Sequence, residues 1–313
     1  MKYILFILFI VACTNPGMTP GTRPTKVVDT KAVNFIVMGD WGRRGGGFQK
    51  EVAVQMGKTA KEEGVDFIIT AGDNFYPSGV ISEYDSVWKY SFESIYTAAS
   101  LQRDWYPVLG NHDYGLNPDA EIAYSDVSER WKMPGRYYSK RININRAQQV
   151  LIVFIDTSPL VKDYHQGWGY AVNDQDTTAQ KVWIEKELSD PSPNIKWRLV
   201  IGHHPMYTAG GRTEDFDTRN IRGSLQSLFE KYNVDAYITG HEHSLQHLLV
   251  PGNKVNHFIS GAASEKTPVK MLPISKFSAS EYGFMLFSVE AEKIVVKVVD
   301  FEGSILYETE LTK

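Results

Sequence analysis

Five short apolar segments of this chain end in glycine and are followed at once by residues of the kind that bind metals. They precede Asp40, Asp73, the run Asn111-His112-Asp113, His203 and the run His241-Glu242-His243. A run of β-branched and aromatic residues that ends in glycine predicts a buried strand that meets a turn. Residues at such strand ends can meet at one edge of a sheet. The pattern therefore predicts one site assembled from segments that lie far apart in sequence.

Strands and helices alternate over the first part of the chain, and strands without helices follow. We predict helices at 48–63, 83–99, 177–188 and 223–232. Strands are predicted at 33–39, 66–71, 105–109, 137–144, 150–155, 197–201 and 234–239, then at 245–250, 255–260, 283–290, 293–300 and 304–310. A βαβ rhythm favours parallel strands with ligands at their carboxyl ends. The mixed pattern predicts an α/β fold (α+β in some schemes) of two mixed β-sheets packed as a sandwich flanked by helices.

Two loop regions are also predicted. The glycine-rich residues 42–47 are expected to form a mobile loop, and the loop that begins at Asn111 is expected to run along the surface through Arg136. The glycine-rich loop lacks the Gly-Lys-Ser/Thr ending of a nucleotide-binding P-loop. It is therefore not interpreted as a phosphate-binding loop.

The amino terminus predicts export. An apolar run over residues 3–12 is too short to span a bilayer, and it is followed by Cys13, the only cysteine of the chain. The block Ile10-Val11-Ala12-Cys13 resembles the lipobox of bacterial lipoproteins, which implies a signal peptide at 1–12 and a lipid on Cys13. Residues 13–31, rich in Pro, Gly and Thr, are predicted to be a flexible tether. We expect an exported, membrane-anchored lipoprotein of the periplasm or cell surface; the alternative is an ordinary signal peptide and a secreted protein.

The remaining residues, 32–313, are long enough for one large domain and show neither a linker nor an internal repeat. The formal net charge of the chain is −4 at pH 7. A mildly negative chain is not expected to be a general nucleic-acid or polyanion binder. The sequence gives no indication of an oligomeric state.

The candidate ligands fall into two chemical groups. Asp40, Asp73 and Tyr76 offer two carboxylates and a phenol, and a second group offers an amide oxygen and three imidazoles from Asn111, His203, His241 and His243. The set contains no thiolate, which excludes a structural zinc knot. Oxygen ligands that include a phenolate favour trivalent iron, whereas mixed nitrogen and oxygen ligands suit divalent Fe, Zn or Mn. Seven ligands are too many for one ion and suit two ions that share a carboxylate.

A centre of this kind predicts a phosphoester substrate. About five positive charges from the ions, less roughly three from Asp40, Asp73 and an ionised Tyr76, leave about +2, which attracts a phosphate dianion. The ions also lower the pKa of bound water, which creates a hydroxide nucleophile without an activated side chain. His112, next to the candidate ligand Asn111, is placed to protonate the leaving oxygen.

The five blocks resemble the signature blocks of the purple acid phosphatases. They are Gly39-Asp40-Trp41-Gly42, Gly72-Asp73-Asn74-Phe75-Tyr76, Gly110-Asn111-His112-Asp113, Val200-Ile201-Gly202-His203 and Gly240-His241-Glu242-His243. These enzymes belong to the calcineurin-like metallophosphoesterases, and the chain is most similar to their small, tartrate-resistant type. The resemblance implies a β-sandwich fold and an acid phosphatase that hydrolyses phosphate monoesters by attack of a metal-bound hydroxide.

The same resemblance implies how the ligands divide between the two ions. Fe(III) would be held by Asp40, Asp73, Tyr76 and His243. The divalent ion would be held by Asp73, Asn111, His203 and His241. Asp73 would therefore bridge the two ions.

The chain departs from the mammalian members of this family in two places. They carry a second outer-sphere histidine where this chain has Gly210-Gly211-Arg212. Arg212 could bind a phosphate oxygen, but a guanidinium is a poor proton donor at ordinary pH. The animal enzymes also have an activation loop near a disulfide, whereas residues 164–176 contain no cysteine. Proteolytic activation is therefore not expected here.

Two other functions are compatible with the sequence. The nearer alternative is a phosphodiesterase or nucleotide hydrolase that uses the same metals. The more distant one is a non-enzymatic surface lipoprotein that kept the fold for binding. Four further histidines do not match ligand positions and are expected to be surface or hydrogen-bonded core residues: His165, His204, His247 and His257.

The lipobox leads to a prediction about location. Replacing Cys13 with serine (Cys13→Ser) should release or mislocalise the protein, because the substitution removes the thiol that would carry the lipid. Cell fractionation followed by immunoblotting measures this outcome. A processed Cys13→Ser protein that stays in the membrane fraction would contradict the prediction.

Overall fold

The computed structural model describes residues 32–167, 169–170 and 172–313. The predicted signal peptide, Cys13 and residues 13–31 lie outside the described residues. The helices are α1 (Gln49–Glu62), α2 (Ser86–Trp88), α3 (Asp119–Ala123), α4 (Thr177–Leu188) and α5 (Phe216–Lys231). No helix in the described part of the chain has the length and hydrophobicity needed to cross a bilayer.

The strands form two sheets. They are β1 (Val33–Met38), β2 (Phe67–Ala71), β3 (Asp104–Val108), β4 (Tyr138–Asn143), β5 (Gln149–Phe154), β6 (Ile195–Ile201), β7 (Ala236–Thr239), β8 (Leu245–Leu248), β9 (Asn256–Ser260), β10 (Ser275–Ala279), β11 (Gly283–Val289), β12 (Lys293–Asp300) and β13 (Ile305–Thr312). One sheet has the order β13-β12-β11-β1-β2-β3 and the other β10-β8-β9-β7-β6-β5-β4. Each contains parallel and antiparallel pairs. The predicted pair of mixed sheets is confirmed.

The two sheets pack face to face through apolar side chains. Phe258 of β9 meets Phe287 of β11 with ring centroids 5.5 Å apart, and Phe154 of β5 lies 6.1 Å from Tyr106 of β3. All six residues of β1 are buried. Helix α1 contacts β11 and α4 contacts β5, so helices cover the outer faces. Strands buried on both faces are expected to be continuous apolar runs, which is the pattern seen in the sequence.

The carboxyl ends of strands from both sheets converge on one place. The turns after β1 and β7 approach so closely that a Cβ atom on Gly39 would lie 3.4 Å from the Cα of Gly240. A Cβ atom on Gly240 would lie 2.4 Å from the carboxylate Oδ2 of Asp40. A residue without a side chain is therefore needed at position 240, where a Cβ atom would collide with the Asp40 carboxylate.

Several elements differ from the sequence-based predictions. The helix expected at 83–99 is broken into α2, a π-helical turn (Lys89–Glu93) and a 3₁₀ turn (Ala99–Leu101). Its aromatic residues pack into a cluster with the fully buried Trp41 and Trp105. Packing of these large rings therefore overrides the local preference for a regular helix.

Three smaller differences concern one loop, one helix and one strand. The region through Arg136 is not a surface stretch, because it contains α3 and buries Tyr114, Trp131 and Met133. Helix α5 begins at Phe216, earlier than expected, and β10 was not predicted. Strand β10 has only one large apolar residue, Phe277, and is only partly buried, so it shows little hydrophobic periodicity.

Candidate metal centre

The predicted site residues meet where the strand ends converge. Four of them form what we call the tyrosine-side cluster: Asp40, Asp73, Tyr76 and His243. The phenol oxygen of Tyr76 lies 3.1 Å from Asp40 Oδ1, 3.0 Å from Asp73 Oδ2 and 3.3 Å from His243 Nε2. His243 Nε2 lies 3.4 Å from Asp40 Oδ1. Three oxygens and one nitrogen thus converge on one point.

The other residues form the amide-side cluster: Asp73, Asn111, His203 and His241. The Nε2 atom of His203 lies 3.4 Å from Asp73 Oδ2, 3.3 Å from Asn111 Oδ1 and 3.2 Å from His241 Nδ1. The same oxygen of Asp73, Oδ2, belongs to both clusters. Its other oxygen, Oδ1, accepts a hydrogen bond of 2.9 Å from the backbone N–H of His112. Asp73 is therefore held with one oxygen facing both clusters.

Hydrogen bonds behind the amide-side cluster fix which atoms face inward. His203 Nδ1 donates to the carbonyl of Ala71 at 2.8 Å, and His241 Nε2 donates to Asp217 Oδ2 at 2.7 Å. The amide of Asn111 donates from Nδ2 to the hydroxyl of Tyr170 at 3.0 Å. The inward atoms of these neutral side chains are consequently all acceptors. Acceptors of mixed nitrogen and oxygen type that face one another suit a divalent cation.

A proton on His203 can offset the negative charge of the carboxylate in this cluster. Burial favours the neutral imidazole of His203, yet the Asp73 carboxylate raises the pKa of His203 to about 9. A metal ion would compete with that proton for the same nitrogen. The donor set therefore fits a metal centre in both geometry and charge.

The backbone of the site is strained at three of the candidate ligands. Asp40, Asp73 and His241 have φ angles of +60°, +49° and +69°, in the left-handed region that residues other than glycine rarely adopt. Hydrogen bonds hold them there, among them Asp40 N–H to the carbonyl of Gly72 at 3.0 Å and His241 N–H to Asp40 Oδ2 at 2.9 Å. Strain of this kind concentrates at functional sites.

Comparison with known proteins assigns the family. A family model described as calcineurin-like phosphoesterase matches residues 33–245. Purple acid phosphatase 17 of Arabidopsis thaliana is 35% identical over 97% of this chain and 90% of its own length. Tartrate-resistant acid phosphatase type 5 of Oryctolagus cuniculus is 32% identical over 91% of this chain and 92% of its own. This chain belongs to the purple acid phosphatases. It is therefore a metallophosphoesterase and a hydrolase, as the sequence blocks predict.

Solved structures agree on the fold. The structure of GAP50, the anchor in the inner membrane complex of Plasmodium, has a TM-score of 0.77 at 23% identity, covering 90% of this chain and 89% of that one. Purple acid phosphatase PPD1 from yellow lupin (Lupinus luteus) seeds has a TM-score of 0.67 at 18% identity, covering 90% of this chain and 54% of that one. At these identities the likeness is one of fold.

His112 lies at the solvent-facing entrance of the site. Its side chain is 37% exposed, and its ring lies 4.6 Å from the ring of Tyr76. The Nδ1 atom donates to the carbonyl of Pro77 at 2.6 Å, so Nε2 faces the centre, 4.0 Å from Asp73 Oδ2. A protonated imidazole held in this way can donate a proton to a group bound between the clusters.

Arg212 lies beside the amide-side cluster. Its guanidinium pairs with Asp215 at 3.8 Å and is 43% exposed, while its backbone N–H donates to Glu242. Burial lowers the pKa of His241, and the charge of Arg212 adds to that effect. Arg212 is therefore anchored beside the segment that carries His241 and His243, with its guanidinium partly exposed.

The other histidines follow the expectation with one exception. Both ring nitrogens of His204 are hydrogen bonded, to Thr157 and Tyr164, although the ring lies close to His241. His165 and His247 also have partners on both nitrogens. His257 is fully buried without a hydrogen-bond partner on either nitrogen, so its expected satisfaction is wrong. Burial lowers its pKa to about 3, so the ring is neutral, and it packs against the rings of Tyr207 and Tyr237.

The residues behind the ligands were not predicted from sequence. Asp217, near the start of α5, is 2% exposed and accepts the hydrogen bond from His241. Burial raises the pKa of Asp217, but the hydrogen bond from His241, the charges of His241 and His204 and the backbone N–H of Thr218 together hold the pKa below its usual range. Glu265 faces Nδ1 of His243 at 3.4 Å. A carboxylate behind a metal-binding histidine orients the ring and makes its inner nitrogen a better ligand.

We predict that Asp217 supports metal binding at the amide-side cluster. Asp217→Ala should weaken the affinity of that cluster for a divalent ion by roughly 10–100-fold, because His241 loses the acceptor that fixes its tautomer. Asp217→Asn, which keeps an acceptor, should lose less. Metal analysis after dialysis against graded chelator measures this effect.

The neighbouring Asp215 supplies a matched control for this prediction. It is exposed on the same turn, so Asp215→Ala should retain metal as the unmodified protein does. Thermal unfolding of each variant tests whether the fold is kept. Metal affinity equal to that of the unmodified chain in Asp217→Ala would refute the role.

Proposed function

We propose that this protein is an acid phosphatase that hydrolyses phosphate monoesters at a binuclear centre of Fe(III) and a divalent ion, which is Fe, Zn or Mn. The observation that carries the proposal is the Oδ2 atom of Asp73, which lies within 3.4 Å of ligand atoms in both clusters. An oxygen shared in this way suits a carboxylate that bridges two ions. Asp40, Tyr76 and His243 would complete the iron site, and Asn111, His203 and His241 the divalent site.

The chemistry of the clusters supports different ions on the two sides. Burial and the carboxylates of Asp40 and Asp73 raise the pKa of the Tyr76 phenol. A strongly charged cation is needed to ionise a phenol in such surroundings, and oxygen-rich ligands with a phenolate favour trivalent iron. Apart from Asp73, the amide-side cluster offers neutral ligands, which suit a divalent ion.

The chain supplies the remaining groups for hydrolysis. Bound ions would lower the pKa of a water molecule so that it can serve as nucleophile at acidic pH. His112, held by Pro77 with Nε2 toward the centre, would protonate the leaving oxygen. Arg212 at the rim would bind a phosphate oxygen. The dianionic charge of a monoester matches a site with excess positive charge better than a diester does.

The amino terminus suggests where the reaction takes place. With the predicted export signal and lipid on Cys13, the reaction would take place outside the cytoplasm on small phosphoesters.

Parallel assays with monoester, diester and nucleotide substrates separate a phosphatase from a phosphodiesterase or nucleotide hydrolase. If the protein binds both metals but hydrolyses none of these substrates, the non-enzymatic alternative would be correct.

The first prediction from this function concerns His112. His112→Ala should lower kcat by roughly 10²–10⁴-fold for alkyl phosphates, whose leaving groups need a proton, while metal content persists. Aryl phosphates with good leaving groups should be affected less, and they serve as the internal control. A rate with alkyl phosphates equal to that of the unmodified enzyme would exclude the role.

The second prediction concerns Tyr76. The phenolate is the only candidate ligand that can donate charge to Fe(III) in the visible range, so Tyr76→Phe should abolish the colour of the protein. Asp73→Ala should reduce activity further, because the loss of a shared ligand disrupts both sites. Absorption spectra and metal analysis measure both effects. Active protein that is colourless, contains no iron and works with two divalent ions would overturn the Fe(III) assignment.

A further inference from the structure

We propose that Arg43 tunes the electronic properties of the iron site by placing its guanidinium against the Tyr76 ring. The inference rests on the proposed function, because it assumes that Tyr76 binds Fe(III) as a phenolate. Arg43 belongs to the glycine-rich segment 42–47, which the sequence interpretation leaves without a function. Its role would be to position charge near a ligand rather than to contact substrate.

The geometry places the positive charge over the aromatic face. The Cζ atom of Arg43 lies 3.6 Å from the centroid of the Tyr76 ring. The Arg43 side chain is 23% exposed, so most of it is shielded from water. A guanidinium this close to an aromatic centroid is a cation–π interaction, and partial burial strengthens it.

The guanidinium is held in place rather than free. Its Nε atom donates to Ser264 Oγ at 3.0 Å, and Nη2 donates to Glu265 Oε2 at 2.7 Å. The side chain of Gln49 accepts hydrogen bonds from the backbone N–H groups of Arg43 and Gly45, at 3.0 and 2.7 Å. The loop that was expected to be mobile is therefore anchored at several points.

The backbone of the segment also sets Arg43 beside Tyr76. The N–H of Tyr76 donates to the carbonyl of Gly42 at 2.9 Å. A Cβ atom on Gly42 would lie 1.8 Å from the carbonyl oxygen of Asn74, so a larger residue would push the two segments apart. Gly42 thus allows the close approach that brings the next residue over the ring.

A positive charge at this position changes the energy of the phenolate electrons. It stabilises the negative charge on the ring, and that stabilisation is partly lost when light moves an electron from the phenolate to iron. Arg43 should therefore raise the energy of the visible transition. It should also weaken donation from the phenolate, which favours Fe(II) and raises the reduction potential.

The pairing of Arg43 with Glu265 adds a second effect in the same direction as the charge over the ring. This carboxylate pairs with Arg43 and also faces Nδ1 of His243, another candidate iron ligand. Without Arg43, the uncompensated charge of Glu265 would make His243 a stronger donor to the iron. Loss of Arg43 should therefore lower the reduction potential through both ligands.

The test compares two adjacent arginines in the full-length, metal-loaded protein. Arg43→Gln should move the visible absorption maximum to longer wavelength by roughly 10–20 nm, the size expected from a cation–π interaction, and should lower the Fe(III)/Fe(II) midpoint potential. Arg44 is exposed on the same loop and carries the same charge. Arg44→Gln should leave both quantities unchanged, so it controls for net charge.

The outcomes separate this inference from the proposed function. A coloured Arg43→Gln protein with the absorption maximum and potential of the unmodified protein overturns the inference and leaves the proposed function standing. Absence of the band from the unmodified protein overturns both. If Arg43→Gln does not retain iron, Arg43→Met gives the same test, because it keeps a long side chain without the charge. A shift to longer wavelength then supports the inference, and an unshifted band overturns it.

Discussion

The arrangement of the whole site depends on the two oxygens of Asp73 having different partners. The backbone N–H of His112 binds Oδ1, which turns Oδ2 toward both clusters. This orientation requires a left-handed backbone conformation at Asp73. It also requires that strands of both sheets end next to one another. The strands carry the ligands, and their close packing keeps the strained turns from relaxing.

A second set of contacts lies behind the candidate ligands. The nitrogen that points away from the centre donates to a backbone carbonyl in His203 and to a carboxylate in His241, and in His243 it lies 3.4 Å from the carboxylate of Glu265. Contacts within the protein thus help to fix the orientation of these rings. A pre-oriented ligand set loses less conformational entropy when it captures a metal, which favours affinity and a defined geometry.

The strand ends and their polar residues could be predicted because the signal is local: an apolar run, a glycine and a ligand within a few residues. The partners behind them could not. Asp217 and Glu265 look like ordinary surface acids in sequence, and only the docking of α5 and of the segment after β9 brings them to the histidines. The broken helix at 83–99 and the role of Arg43 likewise depend on aromatic packing and hydrogen bonds between residues distant in sequence.

The shared site also has a consequence for the sandwich as a whole. Asp40 and Asp73 follow strands of one sheet, whereas His203, His241 and His243 follow strands of the other. Ions held between them would cross-link the two sheets and close loops of up to about two hundred residues. Closing such loops would greatly reduce the conformational entropy of the unfolded chain. The chain has a single cysteine and so cannot form an internal disulfide. The metal centre would therefore provide the cross-link that a disulfide provides in other proteins.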